Sequence, residues 1–205
     1  MSIIQALLCA VAAYLVGSFN SGIFLSTRLG KDIRTVGSHN PGASNMLRVF
    51  GTHYGIATFL LDILKAAAAM GIGTLIAGQN GAMVSGLFVV IGHDWPVFYS
   101  FKGGKGVACS AAVYVLLFPW QGIPSALLAI LVITFTRFIS LGSIILSVVF
   151  LILSLVFLPI WPVGCWAAVL TLLCIFHHRS NITRLMNGTE RKIGEKEDSN
   201  GGKAA

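Results

Sequence analysis

Apolar positions in this chain run in long, nearly unbroken blocks, close to 3–27, 54–77, 81–100, 106–119, 123–138, 142–158 and 161–177. A membrane-spanning helix needs about 17–25 such residues. The pattern therefore predicts an all-α, polytopic transmembrane bundle of about seven spans. The fourth and fifth blocks are short, and predict either tilted neighbours or a single bent element. Polar residues gather between alternate blocks. Arg28, Lys31, Arg34 and Arg48 lie after the first, Lys102 and Lys105 after the third, Arg137 near the fifth, and Arg179, Arg184, Arg191 and Lys192 after the last. The other connections (Gly78 to Asn80, Pro119 to Pro124, Leu158 to Pro162) hold no Lys or Arg. By the positive-inside rule, the N-terminus is expected outside and the C-terminus in the cytoplasm.

The first block, Met1 to Gly17, has no basic residue before it and no small-x-small cleavage site after it. It is expected to remain as a span. Leu8 precedes Cys9 where a lipoprotein site needs a small residue, which argues against lipidation. Residues 1–194 read as one integral-membrane domain, and the Gly-, Ser-, Asn- and charge-rich 195–205 as a disordered tail.

Composition adds little to this picture. The chain of 205 residues is 56% hydrophobic and only 10% charged, against roughly 25% charged in soluble domains. Its net charge of +7 falls on the side that meets anionic lipid and metabolites, so nucleic-acid binding is not expected. Cys9, Cys109, Cys165 and Cys174 sit in apolar blocks without C-x-x-C spacing and are expected to be small buried hydrophobes.

All five histidines map to the basic side, and three polar clusters stand there. The first, Arg34 to Arg48, offers Ser38, Ser44 and Asn45 as neutral hydrogen-bonding groups beside two arginines, with glycines that let backbone amides turn toward an anion. A solvated turn with topology-setting arginines has the same residues. The second, Gly92 to Gly106, puts Lys102, Gly103, Gly104, Lys105 and Gly106 before an apolar helix. Free amides, helix dipole and ammonium groups there favour phosphate. No Ser or Thr follows Lys105, so this is not a Walker A loop and an NTPase is disfavoured. Asp94 is a candidate cap or lysine partner. The third, His177 to Lys192, places His178, Asn181, Arg184 and Leu185 on one face if the helix continues through it; an interfacial amphipathic helix would look alike. Asp62 and Lys65, three apart inside a span, are expected to pair structurally, since an unpaired charge there costs about 2.5–3.5 kcal/mol; orienting the first loop is the alternative role. Arg137, Ser140 and Ser143 stand at another basic-side turn, where Ser143 is a candidate ligand or a helix cap.

In order, Gly17-Ser18, Gly37 to Asn45 with Arg48, Gly92-His93 through Pro96-Val97-Phe98, Phe101 to Gly106, and His178-x-x-Asn181-Ile182-x-Arg184-Leu185 with Gly188 and Glu190 resemble the bacterial acyl-phosphate:glycerol-3-phosphate acyltransferase (PlsY) family over nearly the whole chain. The resemblance implies transfer of an acyl chain from acyl phosphate to the 1-hydroxyl of glycerol 3-phosphate, giving lysophosphatidic acid and phosphate, in a bacterial inner membrane with the site on the cytoplasmic side. It implies activity roles for Ser38, Arg48, His178 and Asn181, a phosphate loop at Lys102 to Gly106, and an integrity role for Glu190. The chain departs from the family pattern at His39, commonly glycine, and Ser44, commonly threonine. A side chain at 39 weighs against a required left-handed backbone there.

Acyl phosphate carries its own leaving group, so the remaining task is to align the hydroxyl and stabilise the oxyanion. No His-x-x-x-x-Asp pair, Gly-x-Ser-x-Gly elbow or cysteine near the polar face is present, which favours direct transfer over an acyl-enzyme. Ser38, Arg48, Lys105, His178, Asn181 and Arg184 would position the substrates, with Asn45, Lys102, Gly103, Gly104, Gly106 and Ser143 in supporting binding roles. The proton would pass to His178 or to a substrate phosphate oxygen. No metal or cofactor is expected. A small-anion transporter is the alternative from another class, though no internal repeat supports it.

Overall fold

The computed structural model describes residues 1–158 and 161–195, and the tail expected at 195–205 lies outside them beyond Glu195. Its elements are α1 (Ile3–Ser18), α2 (Ser21–Arg28), a 3-10 turn η1 (Ile33–Thr35), α3 (Ala43–Phe50), α4 (Thr52–Asp94), η2 (Val97–Tyr99), α5 (Val107–Leu117), α6 (Pro119–Thr136), α7 (Ile139–Phe157), α8 (Trp161–His177) and α9 (Arg179–Met186). Each apolar block of the sequence corresponds to a helical segment. In lipid, backbone polar groups must be satisfied within the segment, so long apolar runs have little choice but helix.

Four segments have the length and apolarity to cross a bilayer: Ile3–Arg28, Thr52–Tyr99, Pro119–Thr136 and Ile139–Phe157; the bent pair α8–α9 makes a fifth. α5, with 11 residues, is about 16 Å long at 1.5 Å per residue, roughly half a hydrocarbon core. The short fourth and fifth blocks prove to be two helices, α5 and α6, meeting at Phe118.

α4 is not straight. Ala77 (φ −149, ψ 28) and Gly78 (φ 59, ψ −146) leave helical geometry. A Cβ on Gly73 would run into the carbonyl of Gly81, and one on Gly81 into the carbonyl of Gly73. Residues eight apart lie about 12 Å apart in a straight helix, so this approach requires the chain to reverse. The arms 52–76 and 79–94 form a hairpin, and α1 packs against both: Gln5 donates to Ile76 O (3.0 Å), and Tyr14 to Trp95 O (2.8 Å).

The main core lies between α4, α5, α7 and α8, where Tyr114 stacks on Phe150 at 3.9 Å between centroids and Trp166 Nε1 donates to Met83 O. A smaller core of Ile23, Ile33 and Met46 supports the first polar loop. Cys9, Cys109 and Cys174 are buried as expected, but Cys165 is exposed on α8. In an apolar span such a face meets acyl chains without needing protein cover.

Candidate functional site

Ser38, Arg48, Lys105, Gly106, Ser143, His178, Asn181 and Arg184 line one cavity of about 1040 Å³, with Asp62, His93, Ser140 and Glu190 also in its wall. Phe59, Leu47, Val107, Ala108 and Ile139 add apolar surface. The three polar clusters and the α6–α7 turn therefore converge, although they are up to about 150 residues apart in sequence.

The first loop is shaped from inside. Asn45, expected to contact substrate, is 1% exposed and does not line the cavity. Its Oδ1 accepts from Ser38 N–H (2.9 Å), while Nδ2 donates to Val36 O (3.0 Å) and Ile33 O (3.3 Å). An amide with a donor and an acceptor end suits this task, and it presents Ser38 to the cavity. His39 has φ +58, contrary to the expectation raised by its side chain; its Nδ1 donates to Arg34 O at 3.0 Å, a contact that offsets the cost of the left-handed backbone. Arg34 pairs with Asp32 (2.8 Å) and donates to Tyr99 O (3.2 Å), fastening the first loop to the second. The Arg34 guanidinium holds the Asp32 carboxyl below its ordinary pKa.

In the second cluster His93, Lys105 and Gly106 reach the cavity. Lys102 is exposed elsewhere, and Gly103 and Gly104 pack on the end of α4. Among the described residues Asp94 pairs with no lysine; its carboxylate lies 3.3 Å from His177 Nε2. Lys105 Nζ donates to Asn181 Oδ1. Burial, and next the nearby Arg184 guanidinium, lowers its pKa to about 8.

The third cluster does not continue one helix. The chain breaks at His178, and α8 and α9 meet at 61°. With the bend, Asn181 and Arg184 line the same cavity as His178. His178 Nδ1 lies 2.8 Å from Cys174 O. A carbonyl only accepts, so Nδ1 carries the proton and Nε2 keeps its lone pair. Gly188, at φ +66, returns the chain under α9 and brings Glu190 back to it. That carboxylate accepts from Asn181 Nδ2 (2.6 Å), Ser140 Oγ (2.7 Å) and Arg184 Nε (2.7 Å). Burial raises its pKa, but these hydrogen bonds and the Arg184 charge outweigh burial and leave it below the usual glutamate value.

Glu190→Gln is expected to destabilise the protein, since a buried donor left without its acceptor costs about 1–3 kcal/mol. A group with a depressed folded pKa contributes stability above its unfolded pKa and loses it as pH falls through the folded one. The melting-temperature gap between parent and variant should be full at neutral pH and narrow in acid; a gap independent of pH would contradict this role.

Ser143 lies inside α7 and back-bonds to Ile139 O (2.8 Å), so it is no cap; its oxygen can still accept at the cavity. Asp62 and Lys65 do pair, at 3.1 Å, and Ser21 Oγ donates to Asp62 Oδ1. Sequence reasoning missed the Ser140 contact to Glu190 and the cavity position of His93. The adjacency of His93 to a glycine-rich loop was the available signal for the second; a lone hydroxyl at a helix start gave none for the first.

The family model for glycerol-3-phosphate acyltransferase matches residues 7–188. The glycerol-3-phosphate acyltransferase of Thermoanaerobacter pseudethanolicus is 44% identical over 192 residues, covering 93% of this chain and 97% of that protein. That of Finegoldia magna is 37% identical over 197 residues, covering 95% and 100%. Crystal structures of PlsY, an integral membrane glycerol 3-phosphate acyltransferase, align with TM-scores of 0.87 for the glycerol 3-phosphate form and 0.83 for the lysophosphatidic acid form. Their identities are 36% and 34%; each alignment covers 92% of this chain, with 96% and 95% of the respective solved chains. Matched along nearly its whole length in both sequence and fold, the chain belongs to the glycerol-3-phosphate acyltransferase family of membrane enzymes, of the PlsY type.

Proposed function

We propose that this enzyme takes its acyl chain from acyl phosphate and transfers it to the 1-hydroxyl of glycerol 3-phosphate. The products are lysophosphatidic acid and inorganic phosphate, made on the cytoplasmic side of a bacterial inner membrane. The observation that carries the reading is the single cavity in which Arg48, Lys105 and Arg184 face His178 and Ser38 beside apolar Phe59, Val107 and Ala108. Cationic groups suit two phosphates, and the apolar wall suits an acyl tail. Seven crossings, with the 11-residue α5 taken as one of them in a locally thinned bilayer and the N-terminus outside, put this basic side in the cytoplasm, following the distribution of Lys and Arg.

In the proposed step the 1-hydroxyl oxygen attacks the acyl carbonyl and the carbonyl–phosphate C–O bond breaks. Inorganic phosphate leaves with the bonding pair, and the hydroxyl proton passes to His178 Nε2. Ser38, Asn181 and Lys105 hold the phosphates and the developing oxyanion, whose stabilisation by fixed donors is worth about 10²–10³ in rate per donor. Three of the four cysteines are buried and none lines the cavity, which favours direct transfer over a thioester intermediate.

The test is transfer to radiolabelled glycerol 3-phosphate by the detergent-purified chain, with acyl phosphate, acyl-CoA and acyl carrier protein donors in parallel. Product from acyl phosphate alone is expected. Product from acyl-CoA instead would replace the donor. Failure of every donor with a folded chain would overturn the reading and return the small-anion transporter, for which vesicle uptake is the assay.

A further inference from the structure

The glycine pair ahead of Lys105 has a mechanical explanation in the end of α4. Gly104 N–H donates to His93 O at 3.1 Å, so that amide is already used. A Cβ on Gly104 would overlap the His93 imidazole, meeting Nε2 first. A Cβ on Gly103 would instead overlap backbone and ring atoms: His93 O, Asp94 O and Pro96 Cδ. The loop thus rests directly on His93.

An imidazole tip ordinarily yields to a neighbour by rotating. This one is held. His93 is 3% exposed, and its Nδ1 lies 2.8 Å from Lys65 Nζ. The same ammonium donates to Phe19 O (2.7 Å) and Gly17 O (3.1 Å) at the C-terminal end of α1, and lies 3.1 Å from Asp62. Helix carbonyls at a C-terminus attract a cation, so Lys65 is fixed from three sides and fixes His93 in turn. Asp62, His93 and Cys109 bring three ligating atoms within 4.8 Å of one another, but the Lys65 ammonium already supplies the positive charge there. The cluster is a support, not a metal centre.

We propose that His93, clamped by Lys65, is a positioning residue that seats Gly104 and so sets where Lys105 meets Asn181 and the substrate phosphate. The proposal rests on reading the cavity as the glycerol 3-phosphate site. The seated Gly104 is bonded directly to Lys105, and a 1 Å misplacement can cost on the order of 10²-fold.

The test is a suppression experiment on the full chain, with glycerol 3-phosphate affinity measured by titration calorimetry and turnover measured alongside. Gly104→Ala is expected to weaken glycerol 3-phosphate binding about 10–100-fold, the worth of a displaced charged hydrogen bond. It should raise KM for glycerol 3-phosphate in step with the lost affinity. Adding His93→Ala removes the obstructing ring and should recover at least about fivefold of the lost affinity. Gly103→Ala collides with backbone, so His93→Ala should not rescue it; this pair separates a specific seat from general loosening. If Gly104→Ala alone fails to fold and the double variant folds, that is the rescue. Losses that merely add, recovery in both glycine backgrounds, or a Gly104→Ala chain that binds like the parent would each overturn the seat while leaving the function intact. A folded parent that neither binds glycerol 3-phosphate nor turns over would overturn the seat and the site together.

Discussion

Replacing His178 by alanine is expected to lower kcat about 10²–10⁴-fold, the range for loss of a positioned general base. The geometry behind this is the Cys174 carbonyl, which fixes the proton on Nδ1 and leaves Nε2 as the acceptor in the cavity wall. A base works deprotonated, so parent activity should fall on the acid side as His178 gains a proton, and the variant should lose that limb of the profile. His178→Gln offers a carbonyl oxygen that can hydrogen-bond but barely takes a proton; it should restore substrate affinity more than turnover. A variant with a substantial rate and an unchanged acid limb would transfer the proton's destination to a phosphate oxygen of the substrate.

The second large effect concerns Lys105. Lys105→Met should reduce kcat/KM for glycerol 3-phosphate about 10²–10³-fold, because a desolvated cation aimed at a phosphate is worth far more than one in water. Its pKa, lowered to about 8 by burial and the Arg184 charge, gives the loss a pH signature. As pH rises through about 8 the free enzyme gives up this ammonium, so kcat/KM should decline there. Bound phosphate holds the proton on, so kcat should decline later. Lys105→Arg keeps its charge across this range and should shift the alkaline limb upward, with weaker binding from the altered fork geometry. Persistence of the same limb near pH 8 in Lys105→Met would assign it elsewhere.

The helical architecture was legible because lipid leaves an apolar backbone few alternatives, and the seven apolar blocks map onto helical segments for that reason. The convergence of Ser38, Arg48, Lys105, His178, Asn181 and Arg184 was legible as well, since they fall in connections between alternate apolar blocks and one end of a helical bundle leaves little area over which to spread. What stayed hidden was decided by side-chain direction and by local breaks. Asn45 lies in the same polar run as Ser38, yet its two-ended amide is turned inward to hold the loop. Lys102 and Lys105 differ by three residues in a glycine-rich loop without helical period, so spacing could not tell the outward lysine from the inward one. The bend at His178 left no mark because helical spacing of His178, Asn181 and Arg184 looks the same whether or not the axis turns between them. His39 shows the opposite limit: its left-handed backbone is stabilised by a contact to Arg34 O that residue type alone would not suggest.

The bend and the returning Glu190 also govern when the catalyst comes into being during synthesis. A ribosome delivers α1 to α8 to the membrane before α9 and the residues after Gly188 emerge. Through that interval the first loop, the lysine loop and the start of α7 can be embedded and packed, while Asn181, Arg184 and the carboxylate that joins them to Ser140 are still absent. On the proposed mechanism competence therefore waits for Glu190, and a nascent chain halted before α9 is an inserted membrane protein whose cavity lacks Asn181, Arg184 and the carboxylate that joins them to Ser140. Quality control that removes such stalled chains would lose no working enzyme.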